Sequence, residues 1–219
     1  LRKRGGKRDV FFGFHRLMIN GLDNSSNQPL YINNNNNGII LICNGEIYNY
    51  EKLLNENNFN YKTKSDCEII AHMYLKYGIK ETLNQLDGVF SFVLYDEKED
   101  KVFVSRDPLG IRSLFMGKTD NGEFGFCSEM KGLMFCNDIT QFPPGCYWSN
   151  DNPGKFSEYY SYNYKINNDD IDTIKHKLHD YFTDAVIKRL MSERPVGCLL
   201  SGGLDSTITA AIVKRYYGN

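Results

Sequence analysis

Tryptophan occurs once and proline six times in 219 residues, and no apolar run approaches the ~18 residues a membrane span needs. An excess of charge of one sign is missing too: 26 basic residues against 27 acidic leave a formal net charge of −1. That balance speaks against a dedicated nucleic-acid or membrane-surface protein, so neither partner is expected. No hydrophobic stretch follows the basic N-terminus, as it would in a secretory signal. The six cysteines, at 43, 67, 127, 136, 146 and 198, form no CxxC pair. A chain of this length needs no covalent staples, and a reduced, cytoplasmic protein is the expectation. His176 and His179 lie three apart on a polar helix face without a third ligand, so no metal site is expected.

What is present suffices for a packed core: 41% of residues are hydrophobic and 14% aromatic. The length fits one large domain, or one domain and part of another. Residues 1–8 carry five basic side chains without interleaved aromatics, which reads as a solvated segment. The asparagine run Asn33 to Asn37 reads as a loop between strands. Strands are expected over 39–43, over 89–95 and 101–105 as a hairpin, and over 114–116 and 123–127 as another. Residues 89–94 are apolar almost throughout, which predicts a strand covered on both faces. A helix is expected from Ser65 as cap, with Glu68 completing a capping box and Gly78 as the stop, then a shorter helix over 79–86. Near residue 150 the texture changes. An amphipathic helix over about 171–191 is followed by the apolar run VGCLL, the loop SGGLDS and a helical pattern. Helix, strand, glycine loop and helix open an α/β layer, with the boundary between about 150 and 168.

Ser201-Gly202-Gly203-Leu204-Asp205-Ser206 therefore leaves a strand and enters a helix. Two glycines let a ligand approach the backbone, and the first-turn N–H groups with the helix dipole favour a phosphate. The loop is neither a Walker A sequence nor GxGxxG. A tight turn capped by Asp205 or Ser206 accounts for the same residues. In the front part, Asn44-Gly45-Glu46 closes the 39–43 strand, and an amide with a glycine N–H there can serve as a two-donor oxyanion hole or as an ordinary Asn-Gly turn. Asp66 in the first turn of its helix complements the dipole whether or not it binds an amine. Arg16, after FFGFH, is either a carboxylate clamp or a residue lying over aromatics.

Taken together the motifs are specific. SGGLDS preceded by GCLL resembles the PP-loop of ATP pyrophosphatases. HRLMIN with QPLY, NGEIYNY, SDCEII, LDGVFSFVLYD, SRDPLGIRSLF, SEMKGL and FPPGCYW run in the order found in class II glutamine amidotransferases. The chain resembles the glutamine-hydrolysing asparagine synthetase family over almost its whole length. The resemblance implies an α+β, four-layer αββα N-terminal-nucleophile hydrolase fold over residues 1–155. Residues 156–219 would hold a linker and the start of an α/β ATP pyrophosphatase domain. It implies that Arg16 binds the glutamine α-carboxylate near Ile19 and Asn20, that Asn44 and Gly45 stabilise the oxyanion, and that Glu46 and Asp66 hold the amino end. Leu199 would line an adenine pocket, and Ser201, Gly202, Gly203, Asp205 and Ser206 would hold the pyrophosphate of ATP, which brings Mg2+. The substrates implied are glutamine, aspartate and ATP, joined through an aspartyl-adenylate; a homodimer stays open.

One segment and two single residues depart from the family pattern: Arg4-Gly5-Gly6-Lys7 in place of RGPD, Ser113 in place of proline, and Asn20 in place of an apolar residue. A larger departure concerns the nucleophile. Glutaminases of this class attack with an N-terminal cysteine whose own α-amine is the base, whereas this sequence begins at Leu1. Cys43 sits in an apolar strand and Cys67 in a helix start, and neither has an evident base. The expectation is a piece of a synthetase that is itself inactive. The alternatives are a related amidotransferase acting on another carboxylate, and a binding protein that kept the fold without the chemistry.

Overall fold

The computed structural model describes residues 2–3, 9–34 and 37–218. Most of the basic segment 1–8, including the Arg4–Lys7 departure, and the middle of the asparagine run lie outside them. The chain divides into two units, one formed by 1–17 with 23–162, the other by 18–22 with 163–219.

In chain order the first unit comprises β1 (Arg2–Lys3), β2 (Val10–Phe11), β3 (Leu30–Asn34), β4 (Asn37–Ile47), α1 (Tyr50–Asn57), α2 (Glu68–Gln85), β5 (Gly88–Asp96) and β6 (Lys101–Arg106). It continues with β7 (Phe115–Lys118), β8 (Phe124–Cys127), β9 (Asn137–Gln141), β10 (Cys146–Ser149) and β11 (Phe156–Glu158). Six strands form an antiparallel sheet in the order β11-β10-β6-β5-β4-β3; β8-β7-β9 form a second sheet, and β1 pairs with β2.

Side-chain alternation explains the layering. Leu41, Cys43 and Ile47 of β4 and Phe90, Phe92 and Leu94 of β5 join Ile69, Ile70 and Met73 of α2 and Leu53 of α1 in one buried cluster. On the opposite face Val93 and Val104 meet Leu114, Phe142 and Trp148, with Met116, Phe124 and Phe126 of the small sheet closing over them. Helices, large sheet and small sheet stack in that order, an α+β architecture. β5 is covered on both faces, as its unbroken apolar run implies. Both expected hairpins form, Asp96 pairing with Lys101 and Lys118 with Phe124.

Two local expectations need correction. No capping box starts α2: the residue before it is Cys67, with no side-chain cap bond. Glu68 turns the other way, its carboxylate accepting the N–H groups of Lys62 at 2.8 Å and Thr63 at 2.7 Å. The fully buried carboxylate thus organises the preceding loop, and His72 Nε2 lies 2.9 Å from it one turn on. Gly78, with φ +78° and ψ 172°, breaks the helical path before the chain re-enters helix over the expected second segment.

The second unit holds α3 (Ile171–Ile187), extended by a short 3-10 turn to Leu190, and α4 (Leu204–Tyr217). Asp170 caps α3 by accepting from Asp172 and Thr173 N–H groups. The buried strand expected before the glycine loop does not form: residues 195–200 have no regular structure, and Leu199 is 96% and Leu200 65% exposed. A strand of this kind needs a neighbour to pair with, and the described residues of this unit include no other strand.

Candidate functional site

β3 pairs with β4 only as far as Leu30 opposite Leu41. From Cys43 onward no strand among the described residues lies beside that edge of β4. In an antiparallel pair, alternate residues direct both main-chain polar groups to the same side. The direction here is fixed by Phe90, the partner of Gly45 on β5: Phe90 accepts the Asp107 N–H at 2.8 Å and donates to Asp107 Oδ2 at 3.3 Å, across the far side of β5. Phe90 thus does not bond Gly45, and Cys43, Gly45 and Ile47 aim their polar groups at the open edge.

Side chains fill that edge in place of a strand. The Gln28 amide takes both groups of Cys43, its oxygen accepting the N–H at 2.6 Å and its nitrogen donating to the carbonyl at 3.0 Å. The Cys67 thiol lies 3.8 Å from the Gly45 carbonyl oxygen. Asp66 Oδ2 accepts the Ile47 N–H at 2.7 Å. Between them the Gly45 N–H faces the same edge, and no side chain among the described residues accepts it. Asn44 and Gly45 do not form a turn; they lie inside β4, opposite Ser91 and Phe90. Only glycine fits at 45, because a Cβ there would collide with the Val89 carbonyl and stand 2.7 Å from Phe90 Cα.

Asn44 points to the opposite face, where its Nδ2 reaches Ser128 Oγ at 3.4 Å. Ser113 donates its hydroxyl to the Ser128 carbonyl at 2.8 Å, a bond the family's proline has no hydroxyl to make. Asp66 is 5% exposed. Burial first, and then the neighbouring Glu46 carboxylate, push its pKa to about 6 against the pull of the Ile47 N–H. A buried carboxylate with a second one beside it forms a site that favours a cation. The Cys67 thiol is pushed well above its ordinary value by its hydrogen bond with Cys43 and by burial, which suppresses the thiolate.

Arg16 Nη1 donates to Asn27 Oδ1 at 3.1 Å and to the Asp23 carbonyl at 3.4 Å, so its guanidinium fastens the turn that leads into Gln28. Ile19 and Asn20 belong to the second unit, where the Ile19 carbonyl accepts the Glu193 N–H at 3.1 Å.

A second polar cluster escaped the reading of single residues. Arg106, 5% exposed, donates to the carbonyls of Arg112 at 2.7 Å, Phe142 at 2.7 Å and Gly110 at 2.6 Å. Asp107, beside it, accepts the N–H groups of Leu109, Ile111, Arg112 and Phe90. One charged side chain serves carbonyls and the next serves amides, and together they fold the 107–112 loop. The motif was visible as SRDPLGIRSLF; the pairing was not.

In the second unit the glycine loop stays open at the N-terminus of α4. Gly202 has φ +84°, and Gly203 precedes the helix without a side-chain cap. Ser206 and Thr207 turn their hydroxyls back to the Gly203 carbonyl at 3.0 and 2.8 Å, and Ser201 Oγ lies 3.0 Å from Ser206 Oγ. The first-turn amides are therefore not occupied by Asp205 or Ser206, which removes the capped-turn reading. Among the described residues no group of three or more His, Cys, Asp or Glu side chains is placed to hold a metal, and no helix is long and apolar enough to cross a membrane.

Comparison with known proteins agrees with this geometry. The family described as glutamine amidotransferase domain matches residues 5–160, and that described as asparagine synthase matches 177–218. The chain is 42% identical over 200 residues to asparagine synthetase B [glutamine-hydrolyzing] of Escherichia coli, covering 88% of this chain and 35% of that protein. It is 39% identical over 238 residues to the human asparagine synthetase [glutamine-hydrolyzing], covering 96% of this chain and 42% of that one. It thus spans well under half the length of these relatives. Among solved structures, the glutamine phosphoribosylpyrophosphate amidotransferase of B. subtilis superposes with a TM-score of 0.55 at 27% identity, over 62% of this chain and 32% of that one. The first unit therefore has the N-terminal-nucleophile hydrolase fold. The chain belongs to the glutamine amidotransferase domain family, and its C-terminal end matches the asparagine synthase family.

Proposed function

We propose that this chain carries the glutamine site, and the beginning of the ATP site, of an enzyme that makes asparagine from aspartate, ATP and glutamine. The open edge of β4 is the observation that supports the reading most. A glutamine whose side-chain carbonyl faces Gly45 would meet a backbone donor there, with the Asn44 amide, turned from Ser128 toward the edge, as the second; each such donor is worth about 2.7–4 kcal/mol to a tetrahedral intermediate. Its ammonium would answer the charge shared by Glu46 and Asp66, and its carboxylate would be taken by Arg16. Cys43 and Cys67 are assigned no nucleophilic part, because both are buried and the Cys67 thiol is held protonated.

We place the glutamine chemistry in residues 1–155 and the ATP chemistry in 156–219. The amides at the start of α4, with Ser201, Gly202, Gly203, Asp205 and Ser206, would receive the pyrophosphate portion of ATP, and Leu199 would line the adenine pocket. Magnesium arriving with ATP would neutralise phosphate charge, with Asp205 the one carboxylate of the loop to face it. The acid partner would be aspartate, activated as its adenylate and attacked by ammonia, in the cytoplasm. Titration calorimetry of L-glutamine into the chain tests the first half. Saturable binding weakened about tenfold or more by Asp66→Asn supports it, since hydrogen bonds to charged groups are worth ~1.5–3 kcal/mol; absence of binding sinks it. For the second half, pyrophosphate release by the full-length protein with aspartate, compared with other carboxylic acids, separates asparagine synthesis from amidation of a different acid.

A further inference from the structure

We propose that Gln28 is a positioning residue for the glutamine reaction: its side-chain amide replaces the missing strand beside β4 and so aims the Gly45 N–H at the substrate. This rests on the glutamine reading and extends it to a residue that touches no substrate. The geometry is bidentate. A primary amide offers one donor and one acceptor in the spacing of a peptide group, and Gln28 uses both on Cys43, at 3.0 and 2.6 Å. β3 begins only at Leu30, so at Cys43 the sheet continues through a side chain rather than a backbone.

Cys43 is well placed to steer the rest of the β4 edge. Two residues after it comes Gly45, and two further comes Ile47, held by Asp66. The Gly45 donor is suspended between two side-chain anchors, one on each flank. Glycine has no side chain to brace it, and its close approach to Phe90 leaves the main chain as the only part that can be fixed. With Gln28 removed, the strand would still pair with β5 from Ile39 to Ile47, so the fold would persist. The tilt of the edge N–H groups is what would change. Arg16 adds a link, since it fastens Asn27, the residue before Gln28.

The test uses the 219-residue chain with Gln28→Met, which keeps length and removes both bonds, and Gln28→Glu, which keeps the acceptor and removes the donor. Two readouts by NMR separate this proposal from the glutamine reading: exchange of the Cys43 amide without ligand, and the shift of the Gly45 amide on adding L-glutamine. Loss of the Gln28 bond is expected to speed exchange at the Cys43 amide about tenfold or more in Gln28→Met, with Leu41 and Phe92 unchanged. The glutamine-induced Gly45 shift should be lost in Gln28→Met and partly restored in Gln28→Glu. Unchanged exchange, or a Gly45 shift of wild-type size in Gln28→Met, overturns the proposal. A wild-type chain that shows no Gly45 shift overturns the glutamine reading instead, while the exchange arm still decides whether Gln28 holds the edge.

Discussion

The Asp66 carboxylate accepts the main-chain N–H of Ile47 at 2.7 Å, so the start of α2 is hydrogen-bonded to the edge of β4. The bond joins the two motifs NGEIYNY and SDCEII, which lie apart in sequence and have no evident reason to meet until the chain folds.

This carboxyl titrates well above its ordinary value of 3.8, at about 6, mainly through burial. A carboxyl raised in this way stabilises the fold most when protonated. Stability should therefore decline as pH climbs from about 4 to about 6, then level off. Asp66→Asn keeps an acceptor for Ile47 and removes the titration. At pH 7.5 it should be more stable than wild type by about 2–3 kcal/mol, and near pH 3 the two should be equal. Urea denaturation at both pH values checks this, and the same variant should lose glutamine affinity.

Glu68 behaves in the opposite sense. Burial pushes its carboxyl up, but the bonds from His72, Thr63 and Lys62 prevail and hold it below its ordinary 4.5. Its contribution is present above that value and fades as pH falls through the depressed one. Glu68→Gln should cost about 1–3 kcal/mol at pH 7. The deficit should shrink below pH about 4, as followed by thermal melts across the range.

Arg106→Lys should destabilise the first unit by about 2–4 kcal/mol, because an ammonium does not reach three carbonyls set around a planar fork. Chemical denaturation gives the magnitude. The side chain that changes is buried, so a loss within about 0.5 kcal/mol, typical of surface substitutions, would contradict the assignment.

Gly45→Ala should cost about 1–3 kcal/mol or prevent folding, since its Cβ meets backbone that cannot swing aside. Gly78→Ala makes a useful contrast: nothing lies within 4 Å of a Cβ there, and the penalty arises only from φ +78°. Both should be destabilised, but only Gly45→Ala should disturb exchange at the β4 edge.

Particular residues show what could be read from the chain and what could not. The 88–96 strand was legible because its apolar run is local and long. α3 announced itself by periodicity, and Gly45 by standing in an Asn-Gly pair. Yet the reason for that glycine lies on β5 at Val89 and Phe90, over forty residues away. α1 was missed because YEKLLNEN is short, rich in asparagine and uncapped by a side chain. β9 was missed because NDITQ is polar, largely exposed and irregular in register against β7. Gln28 gave no local signal at all: its partner is fifteen residues on, and only the start of β3 at Leu30, two residues later, turns it from a loop residue into a substitute strand. The strand expected at 196–200 failed for the complementary reason. Apolar composition marks a segment that wants to be paired, and pairing is supplied by other segments.

Arg106 and Asp107 divide the labour within the 107–112 loop. The path of the backbone is dictated at its entrance, while Leu109 and Ile111 at its crest stand 64% and 60% exposed. Shape and display are thereby inherited separately. Substitutions at the crest can alter what the loop presents to its surroundings without redrawing its course, whereas a single change at the entrance would alter every position after it.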